Sequence, residues 1–377
     1  MIQNKKLRTL TSSLLAGGVL VLSITFLLSP KQNFSENENR YLAKFPSLSW
    51  ENIKTGEYMD DVSTWLSDHF PLRNFFMGLK TDIEICLGKK EINHVYIARD
   101  EYLIEVYDTP VNTERIADTF HKFYKKIDSS KIDTSLMLIP TAYSILADKL
   151  PSNAPVINQM DTVKTIYEKS GIPAIDCSNY LTKASESGQI YYYTDHHWTT
   201  YGAYQGYLAF CDAKGLIPVS LEDMTIETVT DEFYGTIYSK VNDYNHKADS
   251  ITLYTNPADV LTVDYTDTKE ITNSLYNLDY VSQKDKYSLF LNNLHTLIEI
   301  TNETAESDRE LVLIKDSYAN SMVPFLAHHY KKIYVFDTRY YKQGPSSFIK
   351  NHPSVTDILL LYNMNTIDTD SGVRGIY

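Results

Sequence analysis

Short apolar runs without polar alternation constrain this chain more than any other feature of its sequence. Leu136–Ile139, Leu311–Ile314, Ile333–Phe336 and Ile358–Tyr362 are such runs, and strands built from them must be covered on both faces. Between and beside them lie stretches with helical period, at Thr113–Ile127, Gln159–Lys169, Asn179–Ser187, Tyr318–Tyr330 and Ser346–Asn351. A further strand is predicted at Ile172–Asp176. Buried strands alternating with helices imply an α/β fold with a mainly parallel sheet. The rhythm breaks between 220 and 300. There, Tyr- and Thr-rich pieces (Thr252–Tyr254, Val260–Val263, Tyr287–Leu291) predict antiparallel strands or an inserted β-rich lobe. With 377 residues, 43% of them hydrophobic, the chain can bury one large core or two modest ones.

Residues 9–30 carry no charge, and as a helix they would span about 33 Å, enough for a bilayer core. Lys5, Lys6 and Arg8 precede this run, which predicts a cytoplasmic N-terminus and an extracellular remainder. No Ala-x-Ala-like site closes the run at Leu27-Leu28-Ser29-Pro30-Lys31. That favours a retained single-pass signal anchor over a cleaved signal peptide, which would leave a secreted protein. A polar linker follows to about Leu48. Met59, Val62, Trp65 and Leu66 then recur at helical spacing, as do Phe75, Phe76, Leu79, Ile83 and Leu87, with Gly88 as a stop. Trp65 and Phe76 are expected in a core. Short strands are predicted at Val95–Ala98 and Tyr102–Glu105. The organisation read from the sequence is therefore a tail and anchor at 1–31, a membrane-proximal linker and helices at 32–90, and a catalytic domain at 91–377, with the β-rich stretch 220–300 inside it.

The net charge is −13, and residues 1–31 hold basic side chains but no acidic one. The remainder is more acidic still, which excludes a nucleic-acid partner. Cys86, Cys177 and Cys211 show no paired spacing, so they predict small buried hydrophobes, not a disulfide framework or zinc knuckle. The sequence has no phosphate-cradling glycine loop, Gly-x-Ser-x-Gly elbow, His-Glu-x-x-His or Cys-x-x-Cys. NTPase, zincin and thioredoxin chemistry fall away, and no cofactor is implied.

The stretch Tyr191–Gly202 (YYYTDHHWTTYG) offers a different chemistry. Asp195 and His197 are two residues apart, so their side chains meet in an extended or turning backbone. A carboxylate on one imidazole nitrogen fixes the tautomer and frees the other nitrogen to take a proton. The nucleophile this pair requires is Ser317, where the strand Leu311–Ile314 ends at the carboxyl edge of the sheet. Backbone N–H groups at and after Ser317 would face a developing oxyanion. Asn320, one turn on, and Asn292 or Asn293 from a neighbouring loop could add amide donors. Pro324 would kink or shorten the helix that follows. The structural alternative for Ser317 is a plain helix N-cap. Asp195, His196 and His197 could instead bind a metal, but three adjacent ligands rarely converge on one ion. His196 is expected to point away from His197, Thr199 or Thr200 to cap the next helix, and Trp198 to be either pocket wall or core.

These residues resemble the signature of the DHHW family of Gram-positive bacteria, carried most specifically by Asp195-His196-His197-Trp198 and Lys315-Asp316-Ser317-Tyr318-Ala319-Asn320-Ser321. Glu38-Asn39-Arg40, Gly56, Asp68-His69-Phe70-Pro71-Leu72-Arg73 and Asp337-Thr338-Arg339-Tyr340-Tyr341 extend the resemblance over nearly the whole ectodomain. That family is similar to the SGNH-hydrolase-like domains of the AlgX and AlgJ alginate O-acetylation proteins. The resemblance implies an SGNH-hydrolase-like three-layer α/β/α sandwich and a triad of Ser317, His197 and Asp195. Asn320, Asn293, Tyr318, Arg339 and Trp198 become candidates for the oxyanion or substrate side, with no metal. It further implies acyl transfer to or from an extracellular polysaccharide beside a membrane-bound acyl-donor protein of the MBOAT kind. Asn292-Asn293 stand where relatives tend to carry glycine and asparagine. The function expected is a serine O-acyltransferase or acylesterase on a cell-surface or secreted polysaccharide. Its rivals are a non-catalytic glycan-binding or assembly protein on the same fold and a metal-dependent hydrolase.

Overall fold

The computed structural model of the chain describes residues 2–38, 40–155 and 157–376. Asn39 and the side chains of Lys5 and Lys6 lie outside the described residues. The chain divides into two compact units, Met1–Lys89 with Ser239–Asn245, and Lys90–Tyr238 with His246–Tyr377.

The first unit begins with α1 (Ile2–Leu28), whose residues Leu7–Leu28 are long and apolar enough to cross a membrane. A hairpin of β1 (Phe34–Ser35) and β2 (Arg40–Tyr41) follows, then α2 (Trp50–Thr55), α3 (Glu57–Asp68) and α4 (Arg73–Cys86). Arg40 donates two hydrogen bonds to Asp68 (3.0 and 2.6 Å) and one to Glu38 (2.6 Å), and Arg73 also pairs with Glu38. These ion pairs tie the hairpin to the α3–α4 corner. Phe76 does not join a core, and Trp65 is half-buried. The reason lies in α4, which turns Gly78 and Thr81 inward. The Tyr244 ring covers Gly78, and the Thr81 hydroxyl donates to the Val241 carbonyl (2.8 Å).

The second unit opens with a meander of β3 (Glu91–Ile92), β4 (Val95–Ile97) and β5 (Leu103–Glu105). Then come α5 (Thr113–Tyr124), β6 (Asp133–Ile139), α6 (Ala142–Ile145), α7 (Gln159–Ser170), α8 (Ser178–Ser185) and α9 (Thr200–Lys214). β7 (Thr225–Phe233), α10 (Thr236–Val241), β8 (Asp249–Thr255), β9 (Leu261–Tyr265), β10 (Glu270–Thr272) and β11 (Leu297–Asn302) follow. The chain closes with β12 (Glu310–Lys315), α11 (Val323–Leu326), β13 (Lys332–Phe336), α12 (Pro345–Asn351) and β14 (Asp357–Asn363).

A mixed sheet runs β10-β9-β11-β13-β12-β14-β6. Its β13, β12, β14 and β6 are mutually parallel, and β11, β9 and β10 extend it antiparallel. Alternate residues of the parallel strands enter two separate cores. Met137, Leu311, Leu313 and Leu361 pack with α9 and α11, whereas Leu138, Val312, Ile314 and Leu360 pack with α5, α7 and α12. Helices therefore cover both faces, as strands without polar alternation require.

Several local expectations change. Residues 220–300 divide: β9, β10 and β11 join the main sheet, and only β7 and β8 pair apart from it. Tyr287–Leu291 is not a strand, since Lys286–Leu289 forms a 3-10 turn. Ile172–Asp176 makes a single bridge through Ala174, because Pro173 has no N–H to extend a ladder. After β12 a 3-10 turn (Ser317–Ser321) precedes the one-turn α11, and Pro324 limits the helix predicted over 318–330.

At the start of α9, a Cβ on Gly202 would lie 2.2 Å from the Ile190 carbonyl oxygen. Gly202→Ala should cost about 1–3 kcal/mol of unfolding free energy, the usual penalty for forcing atoms into a filled site. Urea denaturation would show a lower midpoint at unchanged slope. An unchanged midpoint would mean that this contact gives way freely.

Candidate active site

The segment Ile190–Thr199 folds back on itself. The Tyr192 N–H donates to the His197 carbonyl (3.2 Å), and the Thr199 N–H donates to the Ile190 carbonyl (2.9 Å). Asp249, at the start of β8, anchors one arm. Its carboxylate accepts from the N–H groups of Tyr193 and Thr194 (both 2.8 Å), the Thr194 hydroxyl (2.6 Å) and the Gln189 amide (2.7 Å). At the tip Asp195 accepts from the His197 N–H (3.0 Å), and this turn brings its Oδ1 to 2.6 Å from His197 Nδ1. Thr199 caps α9, accepting from the Gly202 N–H (3.1 Å).

Ser317 comes from the opposite direction, off the end of β12. Asp316, not Ser317, caps the 3-10 turn by accepting from the Tyr318 N–H (2.9 Å). The Ser317 hydroxyl is thereby free of the capping role and lies 2.7 Å from His197 Nε2. Asp195, His197 and Ser317 form one continuous chain of hydrogen bonds. Every residue from Leu311 to Asn320 is buried except Ser317, which is half-buried. The one hydroxyl in the chain is the one that solvent or a substrate can reach.

Three residues that sequence reasoning missed hold this chain in place. Thr236 donates both its N–H (2.8 Å) and its hydroxyl (2.9 Å) to Asp195 Oδ2. Gly235 admits the carboxylate, since a Cβ there would sit 2.3 Å from Asp195 Cβ. Tyr287 stacks flat on the His197 imidazole, with ring centres 3.7 Å apart and planes 8° from parallel. Its hydroxyl donates to the Ser317 carbonyl (3.1 Å). Neither Gly235-Thr236 nor Tyr287 carries a local signal in the sequence, since each acts on a residue far away in the chain.

The remaining candidates separate. Trp198 is core: its indole is fully buried, covers Gly206, and donates to the Tyr318 carbonyl (2.9 Å) and Ser321 Oγ (3.0 Å). Tyr318 is also fully buried, and its hydroxyl donates to the His196 carbonyl. Asn320 is buried on the serine turn, and its Oδ1 has no hydrogen-bond partner among the described residues. Among the described residues Asn293 makes no hydrogen bond to Asp195, His197 or Ser317. It ends three successive left-handed residues, Leu291 (φ 55°), Asn292 (φ 55°) and Asn293 (φ 76°). Asn292 is spent on the loop itself: its carbonyl accepts from His295, and its side chain accepts from Asn277. Arg339 grips Asp337 with Nε (2.9 Å) and a terminal nitrogen (2.5 Å). His196 does not turn away as expected. The tight turn leaves its ring centre 3.9 Å from that of His197, and its Nδ1 lies 2.8 Å from the Thr236 hydroxyl oxygen. Asp195, His196 and His197 offer ligand atoms within 4.8 Å of one another, close enough for one ion. Both ring nitrogens of His197 are nevertheless engaged, by Asp195 and by Ser317.

Burial sets the charge states. It pushes the His197 imidazole down to about 4, with neighbouring His196 pushing the same way and Asp195 opposing. His197 is therefore neutral at pH 7 and able to accept a proton. Burial alone would raise the Asp195 carboxyl. The two imidazoles and the Thr236 N–H outweigh it and hold the group well below the usual carboxylate range. Burial pushes Asp316 up to about 6 against the hydrogen bonds from Asn363 and Tyr318. It also lowers Lys315, whose Nζ lies 3.6 Å from Asp337.

The sign of the His197 shift gives a pH dependence. Between an unfolded value near 6.5 and a folded value near 4, the unfolded chain holds the extra proton. Stability should fall on acidification through that window, by at most about 1.4 kcal/mol per pH unit for this one proton. His197→Gln should flatten the slope of unfolding free energy between pH 6.5 and 4, read by urea melts. An unchanged slope would assign the titration elsewhere.

The model of the DHHW protein family matches residues 104–336. A solved DHHW family protein from Eubacterium siraeum is 25% identical and has a TM-score of 0.65, covering 75% of this chain and 96% of that one. Bacillus cereus PatB1, solved with a sulfonyl adduct, shares the fold at 17% identity and a TM-score of 0.62, covering 75% of this chain and 98% of its own. A probable alginate O-acetylase, AlgJ of Pseudomonas syringae pv. tomato, is 24% identical over 173 residues, and the match spans 44% of each chain. With a family match over more than half its length, this chain belongs to the DHHW protein family.

Proposed function

We propose that the second unit is an SGNH-hydrolase-like O-acyltransferase acting outside the cytoplasm on a polysaccharide, with Ser317, His197 and Asp195 as its catalytic triad. The observation that carries this reading is the unbroken hydrogen-bond chain from Asp195 through His197 to the half-buried Ser317 hydroxyl. Ser317 Oγ attacks the acyl carbonyl as its proton passes to His197 Nε2. Asp195 holds the tautomer through Nδ1 and stabilises the imidazolium that forms. The tetrahedral oxyanion is received by the Ser317 backbone N–H, since those of Tyr318 and Ala319 are spent on Asp316, with the Asn320 side chain as the added donor. Collapse transfers the proton to the departing oxygen and leaves an acyl-serine. A sugar hydroxyl then gives its proton to His197 and attacks the ester, which releases Ser317 and the acylated sugar. The sandwich is the SGNH type in this reading, and residues 91–377 are the catalytic domain. Residues 1–31 are a retained anchor, with 32–90 as the membrane-proximal segment, so the acceptor is met close to the membrane. An acyl-donor protein in that membrane would supply the acyl group. AlgJ, a probable alginate O-acetylase, supports a polysaccharide acceptor by likeness.

A fluorophosphonate or sulfonyl fluoride probe should label the purified protein, and Ser317→Ala should abolish the label. With an activated acetyl ester as donor, the correct oligosaccharide should become O-acetylated. Asp195→Asn should slow turnover by on the order of 10⁴-fold while acceptor binding persists, as when an orienting carboxylate is lost from a triad. Acetate release at a rate indifferent to every acceptor would make the protein an esterase. Unchanged activity in Ser317→Ala would hand the site to the glycan-binding reading.

A further inference from the structure

The first unit contains a helix that is amphipathic the wrong way round. Helix α4 faces the rest of its unit with Gly78 and Thr81. Its large apolar side chains Phe75, Phe76, Leu79 and Ile83, with the C-cap residue Leu87, are exposed, from 42% at Phe76 and Leu79 to 82% at Leu87. At about 100° per residue these five positions fall within one arc of roughly 120°, the width of an ordinary buried stripe. A soluble surface does not leave such a stripe in water without an apolar neighbour.

Contacts within the unit identify that neighbour. Trp65 packs edge-on against Phe26 near the end of α1, with ring centres 5.5 Å apart, and Lys31 Nζ caps the same Phe26 ring at 3.5 Å. His69, in the corner between α3 and α4, lies 3.0 Å through Nε2 from the Gln32 carbonyl. Ser29 and Pro30, where α1 ends, line one cavity of about 490 Å³ together with Phe70, Arg73 and Phe75. The first turn of α4 therefore sits at the depth where the apolar helix stops. A tryptophan and a lysine at that level are the side chains that mark a membrane–water boundary. We infer that α4 lies along the bilayer surface, its Phe75–Leu87 stripe sunk into the headgroup–acyl boundary beside α1. The bound partner is lipid, and the attraction is apolar burial. This inference rests on α1 being a retained anchor and does not depend on the acyl-transfer chemistry.

Cys86 makes the test direct, because it is exposed on α4 while Cys177 and Cys211 are buried. The full chain, spin-labelled at Cys86, is reconstituted in phosphatidylcholine vesicles. Two further samples carry Cys86→Ser with either Leu79→Cys on the stripe or Asp118→Cys on the exposed side of α5 as the aqueous reference. Relative to the Asp118 site, labels at positions 86 and 79 should show a several-fold higher ratio of collisions with oxygen to collisions with a water-soluble nickel chelate. A ratio equal to the reference, in protein that stays with the vesicles through a carbonate wash, overturns the surface placement and leaves the anchor standing. Protein stripped by the wash overturns the anchor reading and this inference with it. Dipolar broadening between labels with water-like collision ratios overturns it in favour of a second copy of the chain. Protection of the label from both reagents only after a membrane protein is added would do so in favour of a protein partner.

Discussion

A single indole N–H couples the two halves of the site. Trp198 donates to the Tyr318 carbonyl and to Ser321 Oγ, residues 120 and 123 positions away. Bonds of this kind, closed inside a filled core, are costly to leave unmade. The Tyr318 hydroxyl returns the connection by donating to the His196 carbonyl, and the Tyr287 hydroxyl clasps the Ser317 carbonyl while its ring lies on His197. The histidine turn and the serine turn thus share walls. Neither can shift without breaking buried hydrogen bonds of the other, and the 2.7 Å approach of Ser317 to His197 is a consequence of that packing.

Burial and the hydrogen bonds packed into it together fix the charges. His197 is kept neutral first by desolvation, and Asp195 is kept ionised by the donors clustered on it despite desolvation. A neutral base beside an ionised orienter is the charge state a proton acceptor needs near pH 7. Further charged groups lie beside this pair. Lys315 and Arg339 share Asp337, and Asp316 is bound by the Asn363 backbone and side-chain amide. Asp316 is thereby held as a structural cap, which leaves its neighbour Ser317 to serve the imidazole.

The first unit obeys a different rule. The buried Asp68 and half-buried Glu38 hold Arg40 and Arg73, while the large apolar side chains of α4 turn out. Segments that look like a linker in sequence are clamped by ion pairs to the corner following α3.

Much was legible in the residues. Runs without polar alternation dictated strands covered on both faces, because such strands have no side to offer water. Asp195 and His197 could be paired from spacing alone, since a turning backbone brings i and i+2 together. Ser317 could be placed at a strand end, and the loss of a long helix after it followed from Pro324. What the sequence could not decide was everything set by contacts between distant segments. Trp198 reads equally as wall or core until Gly206 and Tyr318 are packed against it. Phe76 carries a core pattern that only the fit of Tyr244 over Gly78 turns outward. Ser317 competes with Asp316 for one capping role, and the winner depends on Asn363 holding Asp316 from a strand 47 residues on. Thr236, Gly235 and Tyr287 carry no local signal, because their roles exist only once α10 and the Lys286–Leu289 turn close around Asp195 and His197. Local spacing determined which residues can meet, and tertiary packing decided which of them do.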